Sequence, residues 1–179
     1  MKRLLFVVIL TALVLASAAA QQTAIELSFT FTRQGGAASN QFAAWIEDTE
    51  GKYIKTLYVT KWTANGGYSK RPATIPMWVK KSDPSKMTKA QVDAVSGATP
   101  QTGTLTCTWD GTDIKGAALP NGNYVLVLEG TLRWENQVYY RVPITLGKGA
   151  MTPKIDVEYT GDITAEKSMI KDVKVRVLR

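Results

Sequence analysis

Histidine is absent from this 179-residue chain. Without imidazole, no Ser-His-Asp or Cys-His nucleophile can be assembled, and His-containing zinc or iron sites are excluded with them. Cysteine is nearly absent: Cys107 stands alone, so no intramolecular disulfide can form. Its neighbours read it as core, since Leu105, Cys107 and Trp109 share one face of an alternating strand. Long apolar runs are missing too. The longest, Leu4 to Leu15, falls short of the roughly 18 to 20 residues that a membrane-spanning helix needs.

That short run has another meaning. Met1-Lys2-Arg3 precedes it and Ala16-Ser17-Ala18-Ala19-Ala20 follows, the pattern of a secretory signal peptide over 1–20 with cleavage before Gln21. No Cys lies near that junction to take a lipid. The expected product is one domain over 21–179, soluble in a periplasm or outside the cell, with no membrane span. Charge adds little: 22 Lys plus Arg stand against 15 Asp plus Glu, and Lys2 and Arg3 belong to the leader. The basic residues are dispersed and not interleaved with aromatics, which argues against nucleic acid as a partner.

Acidic candidates for metal binding or acid-base work are Glu47-Asp48-Thr49-Glu50-Gly51 and Asp110-Gly111-Thr112-Asp113. Both lie between strand-like segments and lack the spacing of a calcium loop, so they read as turns.

Periodicity over the rest is mostly two. Strands are expected at Ile25 to Phe31, Phe42 to Glu47, Tyr53 to Thr60, Leu105 to Trp109, Tyr124 to Glu129, Leu132 to Trp134, Val138 to Leu146, Lys154 to Tyr159 and Val173 to Leu178. This pattern predicts an all-β fold, a β-sandwich of the immunoglobulin-like kind. One long insertion, about 62–103, interrupts it and carries one or two short helices. The first lies in Ala73 to Lys81 with Pro76 in its first turn; the second spans Lys89 to Ala94 and is capped by Thr88. Gly97 is then expected to take a positive φ, leaving Ser96 to Thr99 on an exposed bend.

Several motifs carry family resemblances. Phe42 to Asp48, Gly51 to Leu57, Trp78, Val92 to Pro100, Gly103, Trp109-Asp110-Gly111 and Gly122-Asn123-Tyr124 together resemble the predicted periplasmic proteins of domain of unknown function 2271. The resemblance implies an envelope redox setting, in company with PepSY-type membrane proteins and flavin transferases. More narrowly, Trp109 to Asp113, Gly116 and Leu119 to Tyr124 look like a hairpin in the immunoglobulin-like domain of flagellar hook-capping proteins.

Asp93-x-x-Ser96-Gly97-Ala98-Thr99 is similar to the signature of FMN-binding domains, in which a periplasmic flavin transferase joins FMN through its phosphate to the Thr hydroxyl. That resemblance makes Thr99 the acceptor, Gly97 and Ala98 the small neighbours that admit the transferase, and Asp93 the recognising or activating acid, with Ser96 part of the signature. Pro100-Gln101-Thr102 departs from it, because a further hydroxyl pair is expected after the acceptor.

The leading expectation is therefore an exported, non-catalytic envelope protein carrying FMN covalently on Thr99 for electron transfer. Trp62, Tyr68 and Trp78 are candidate stacking partners for the ring, although core packing is favoured for each. The alternative is a cofactor-free structural or protein-binding module, using its edge strands or its insertion.

Overall fold

A computed structural model of the chain describes residues 23–178, so the expected signal peptide lies outside the described residues. The fold is mostly β, with two sheets packed as a sandwich and a third layer of short helices. Strands β1 (Ala24–Phe31), β5 (Gly103–Trp109) and β9 (Ile170–Leu178) form a three-stranded antiparallel sheet, with β1 in the centre. The larger sheet has the order β4-β3-β2-β6-β7-β8, from β2 (Gln41–Asp48), β3 (Tyr53–Thr60), β4 (Ser96–Gly97), β6 (Gly122–Arg133), β7 (Asn136–Leu146) and β8 (Asp156–Tyr159).

The main core lies between the sheets. Ile25, Leu27, Phe29 and Phe31 face Phe42, Ala44 and Ile46, with Leu126, Leu128, Tyr140 and Val142 beside them. Alternation along β1 produces this directly, since residues at period two share one face. Each large side chain buried there contributes about 1.5 to 3 kcal/mol.

A second core covers the other face of the larger sheet. Ala43 and Trp45 of β2, Val59 of β3 and Val127 of β6 pack there against Ala64, Ile75, Trp78 and Val92 of the insertion. Strand β2 is consequently buried on both sides. The insertion contains a π-helical turn at Thr63–Gly67, then α1 (Tyr68–Lys70), α2 (Pro76–Ser82), a 3-10 turn at Pro84–Lys86 and α3 (Lys89–Val95).

Buried polar groups on the sheet fix this layer. Pro76 begins α2 and has no N–H to satisfy; the next two donors, Met77 N and Trp78 N, are bonded at 3.0 and 2.7 Å by the two oxygens of buried Glu129. Ile75, at φ 40°, donates its N–H to Thr131 Oγ1 at 2.9 Å, and Trp78 Nε1 donates to Thr56 Oγ1 at 2.9 Å. A β-branched residue in the left-handed region is strained by about 1 to 2 kcal/mol, a cost offset here by complete burial of its side chain.

The second helix forms as expected, with a reciprocal capping box between Thr88 and Gln91. Its exit differs from expectation. Gly97 does not adopt positive φ; Ser96 and Gly97 run straight into β4, parallel to Val59 and Thr60 of β3. A Cβ at Gly97 would lie 2.8 Å from the Tyr58 ring, so glycine is needed there for close approach rather than for a turn.

Two more expectations change. The strand read as ending at Glu129 continues through Gly130 to Arg133, because a Cβ at Gly130 would stand 2.7 Å from Ile170 Cδ1 and glycine lets the layers close. Trp134, read as strand, lies instead in the two-residue loop joining β6 to β7. The segment after Trp109 does not join paired strands either. It crosses from the small sheet to the large one, with its own bridge between Thr112 and Ala118.

Candidate functional site

The ends of β1, β3 and β6 and the starts of β2, β5, β7 and β9 lie at one end of the sandwich, as the antiparallel registers require. The Thr99 loop, the connection from β1 to β2, the start of the insertion and the β6–β7 turn all emerge there. Function-bearing loops at one end of a rigid sandwich are a recurrent arrangement.

The five expected site residues are contiguous along this edge but do not converge on one point. Asp93 is exposed in the last turn of α3, where its carboxylate pairs with Lys89 Nζ at 2.6 Å. The hydrogen bond from that ammonium holds the Asp93 carboxyl below its usual range. Ser96 has a buried hydroxyl with no hydrogen-bond partner among the described residues. Gly97 packs on Tyr58, whose hydroxyl donates to Ala98 O at 2.8 Å. Ala98 itself is exposed.

Thr99 is half-buried, not fully exposed as expected. Its Oγ1 accepts from Gln41 Nε2 at 3.3 Å, and its carbonyl accepts from Arg33 Nη1 at 3.4 Å. The Thr99 hydroxyl hydrogen has no acceptor among the described residues. Asp93 is paired with Lys89, and among the described residues no carboxylate is hydrogen-bonded to Thr99.

Of the three candidate stacking residues, Trp78 is core, as favoured. Trp62 is 40% exposed with the Arg71 guanidinium 5.3 Å above its ring, and Tyr68 is half-buried. Residues not singled out from sequence complete this end: Gln41, Arg33, Lys70, Arg71, Arg133 and Trp134. Gln41 had a signal, being polar at the start of a strand too apolar to be solvated on either face.

The expected turn acids divide. Asp48 makes a turn, its carboxylate accepting from Glu50 N and Lys52 N at 2.9 and 2.8 Å. Glu47 is instead fully buried on β2, bonded by Trp45 Nε1 at 3.0 Å, by Arg141 Nη2 at 3.1 Å and at 3.4 Å from Lys81 Nζ. Both oxygens of that carboxylate are engaged, Oε1 by Trp45 of the same strand and Lys81 of the insertion, Oε2 by Arg141 of β7.

Fold and site thus define a β-sandwich whose loops present a half-buried hydroxyl and a rim of cations at one end. The family described as predicted periplasmic protein, domain of unknown function 2271, matches residues 22–165, and the chain belongs to it. No curated protein and no solved structure matches the chain. Among the described residues no helix is long and apolar enough to cross a membrane.

Proposed function

We propose that this is an exported, non-catalytic accessory of the envelope that carries FMN on Thr99 in phosphoester linkage and exchanges electrons with a PepSY-type membrane protein. The observation that carries the reading is the Thr99 hydroxyl: half-exposed, outside every ladder, and accepting from Gln41 while its own hydrogen is unengaged. A flavin transferase supplies the base and a donor whose FMN phosphorus bears a leaving group. Thr99 Oγ1 attacks that phosphorus, the bond to the leaving group breaks, and the hydroxyl proton passes to the transferase. The adjacent Arg33 is placed to pair with the phosphodiester that results.

The scaffold in this reading is an immunoglobulin-like sandwich, supported by Tyr124. Its hydroxyl donates to Pro120 O at 2.8 Å and its ring meets Trp109 edge-on at 5.1 Å, much as a tyrosine corner does.

The test is the intact mass of the full chain after co-expression with a flavin transferase. Wild type should gain one FMN less one water, and Thr99→Ala should gain nothing. An unshifted wild type, or a shift that survives T99A, overturns the reading.

A further inference from the structure

Trp134 has no structural reason to be tryptophan. It stands at φ 43° in a two-residue hairpin loop, where Gly, Asn or Asp would be unstrained, and 68% of it is exposed. Neither burial nor turn geometry accounts for it, and a strained, exposed aromatic points towards a binding role.

Two grooves flank it. One, about 640 Å³, is lined by Glu135, Asp162 and Glu166 as well as Arg133 and Lys167. The other, about 390 Å³, is lined by Lys70, Arg71, Arg133, Ser39 and Trp134, with no carboxylate among its lining residues. None of its three cations forms an ion pair among the described residues. Arg71 is held in place by the ring of Trp62. Ser39 brings a buried hydroxyl without a hydrogen-bond partner. Positive charge on the walls, a flat platform at the rim and an unmet hydrogen-bonding group suit a small ligand, and the volume is that of a small-molecule site.

We infer that this groove binds an aromatic anion: a flat ring stacked on Trp134, bearing a phosphate or carboxylate held by Lys70, Arg71 and Arg133. The groove across Trp134 sets three carboxylates beside its two cations and suits an anion less, so charge favours docking on the other side. Gln41 Nε2 links the two regions, 3.0 Å from Ser39 O and 3.3 Å from Thr99 Oγ1. Groove binding nevertheless needs no covalent bond at Thr99.

The experiment is calorimetric titration of the full mature chain with 1-naphthyl phosphate, 1-naphthoate, 1-naphthol and inorganic phosphate. One or both naphthyl anions should bind at least tenfold more tightly than 1-naphthol or inorganic phosphate, and the stronger of the two identifies the anionic group. K70A/R133A should weaken that binding at least tenfold, W134A should weaken the naphthyl anions but not inorganic phosphate, and T99A should leave all four unchanged. All substituted side chains are at the surface or its edge, and unchanged melting temperatures verify folding. Equal binding of 1-naphthol and the naphthyl anions, undiminished binding in K70A/R133A, or no heat from any probe at millimolar concentration overturns the inference. Loss of binding in T99A would overturn its independence from the Thr99 loop, whereas failure of flavinylation leaves these titrations untouched.

Discussion

Gln41 donates from Nε2 to Thr99 Oγ1 at 3.3 Å while its Oε1 accepts from Thr63 Oγ1 at 3.0 Å, so one amide ties the Thr99 loop to the start of the insertion. The two ends of that link are unequal. Thr63 is fully buried, whereas Thr99 is half-exposed and can exchange its partner for water.

Gln41→Leu should therefore destabilise the protein by about 1 to 3 kcal/mol, because Thr63 Oγ1 keeps its burial and loses its acceptor. Thr99→Ala should cost less than about 1 kcal/mol, since Gln41 Nε2 retains Ser39 O. Urea midpoints of the two variants give the order; a costlier T99A would show the loop to be the tighter end.

Glu129 makes stability depend on pH. Burial pushes its carboxyl up to about 7 from 4.5, against the pull of two amide donors. A carboxyl with a raised folded pKa binds its proton more readily in the native state, so its contribution is complete below about 4.5 and is lost as pH rises towards 7. The loss is on the order of 3 kcal/mol between those limits. Glu129→Gln should remove this slope while lowering stability at pH 5, because an amide cannot accept from both Met77 N and Trp78 N. Denaturant melts between pH 4.5 and 7.5 check it; an unchanged slope in E129Q would assign the titration elsewhere.

The strands were legible because one residue in two enters the main core. Where a strand is covered twice, that signal fails. Phe42 to Ile46 is apolar without alternation, the pattern of a strand buried on both faces, and its polar ends Gln41 and Glu47 are buried by an insertion whose docking no local pattern encodes. The Thr88 cap was readable because its partner Gln91 lies three residues away. Gly97 was misread because its reason, the ring of Tyr58, comes from a strand almost forty positions earlier in sequence. Trp134 was visible as a residue, but its role depends on grooves formed by three separate connections.

Gly97→Ala should cost about 1 to 3 kcal/mol, because the new methyl would displace the Tyr58 ring from its stack on Phe42, 5.2 Å between centroids, and from Ala98 O. The penalty of the double variant G97A/Y58A should be less than the sum of the two single penalties, since the clash disappears with the ring. Thermal melts of the four proteins test this, and strict additivity would refute the contact as the cause.

Burial raises the Cys107 thiol to about 11 from 9.0, leaving little thiolate at pH 8. A disulfide reagent should then react on the order of a hundredfold more slowly with the native protein than with the chain in urea, because the thiolate is the attacking species. Equal rates would place the sulfur in solvent.

The outermost strands of the larger sheet are also its shortest, two residues in β4 and four in β8. A neighbouring chain seeking to extend the sheet past β8 meets only a few backbone groups in register, too few to seed a growing stack. On the other side, β4 is continuous with the Thr99 loop. Whatever pulls that loop away also bares the end of β3, so the loop that carries Thr99 and the protection of this sheet edge are coupled through the same two residues, Ser96 and Gly97.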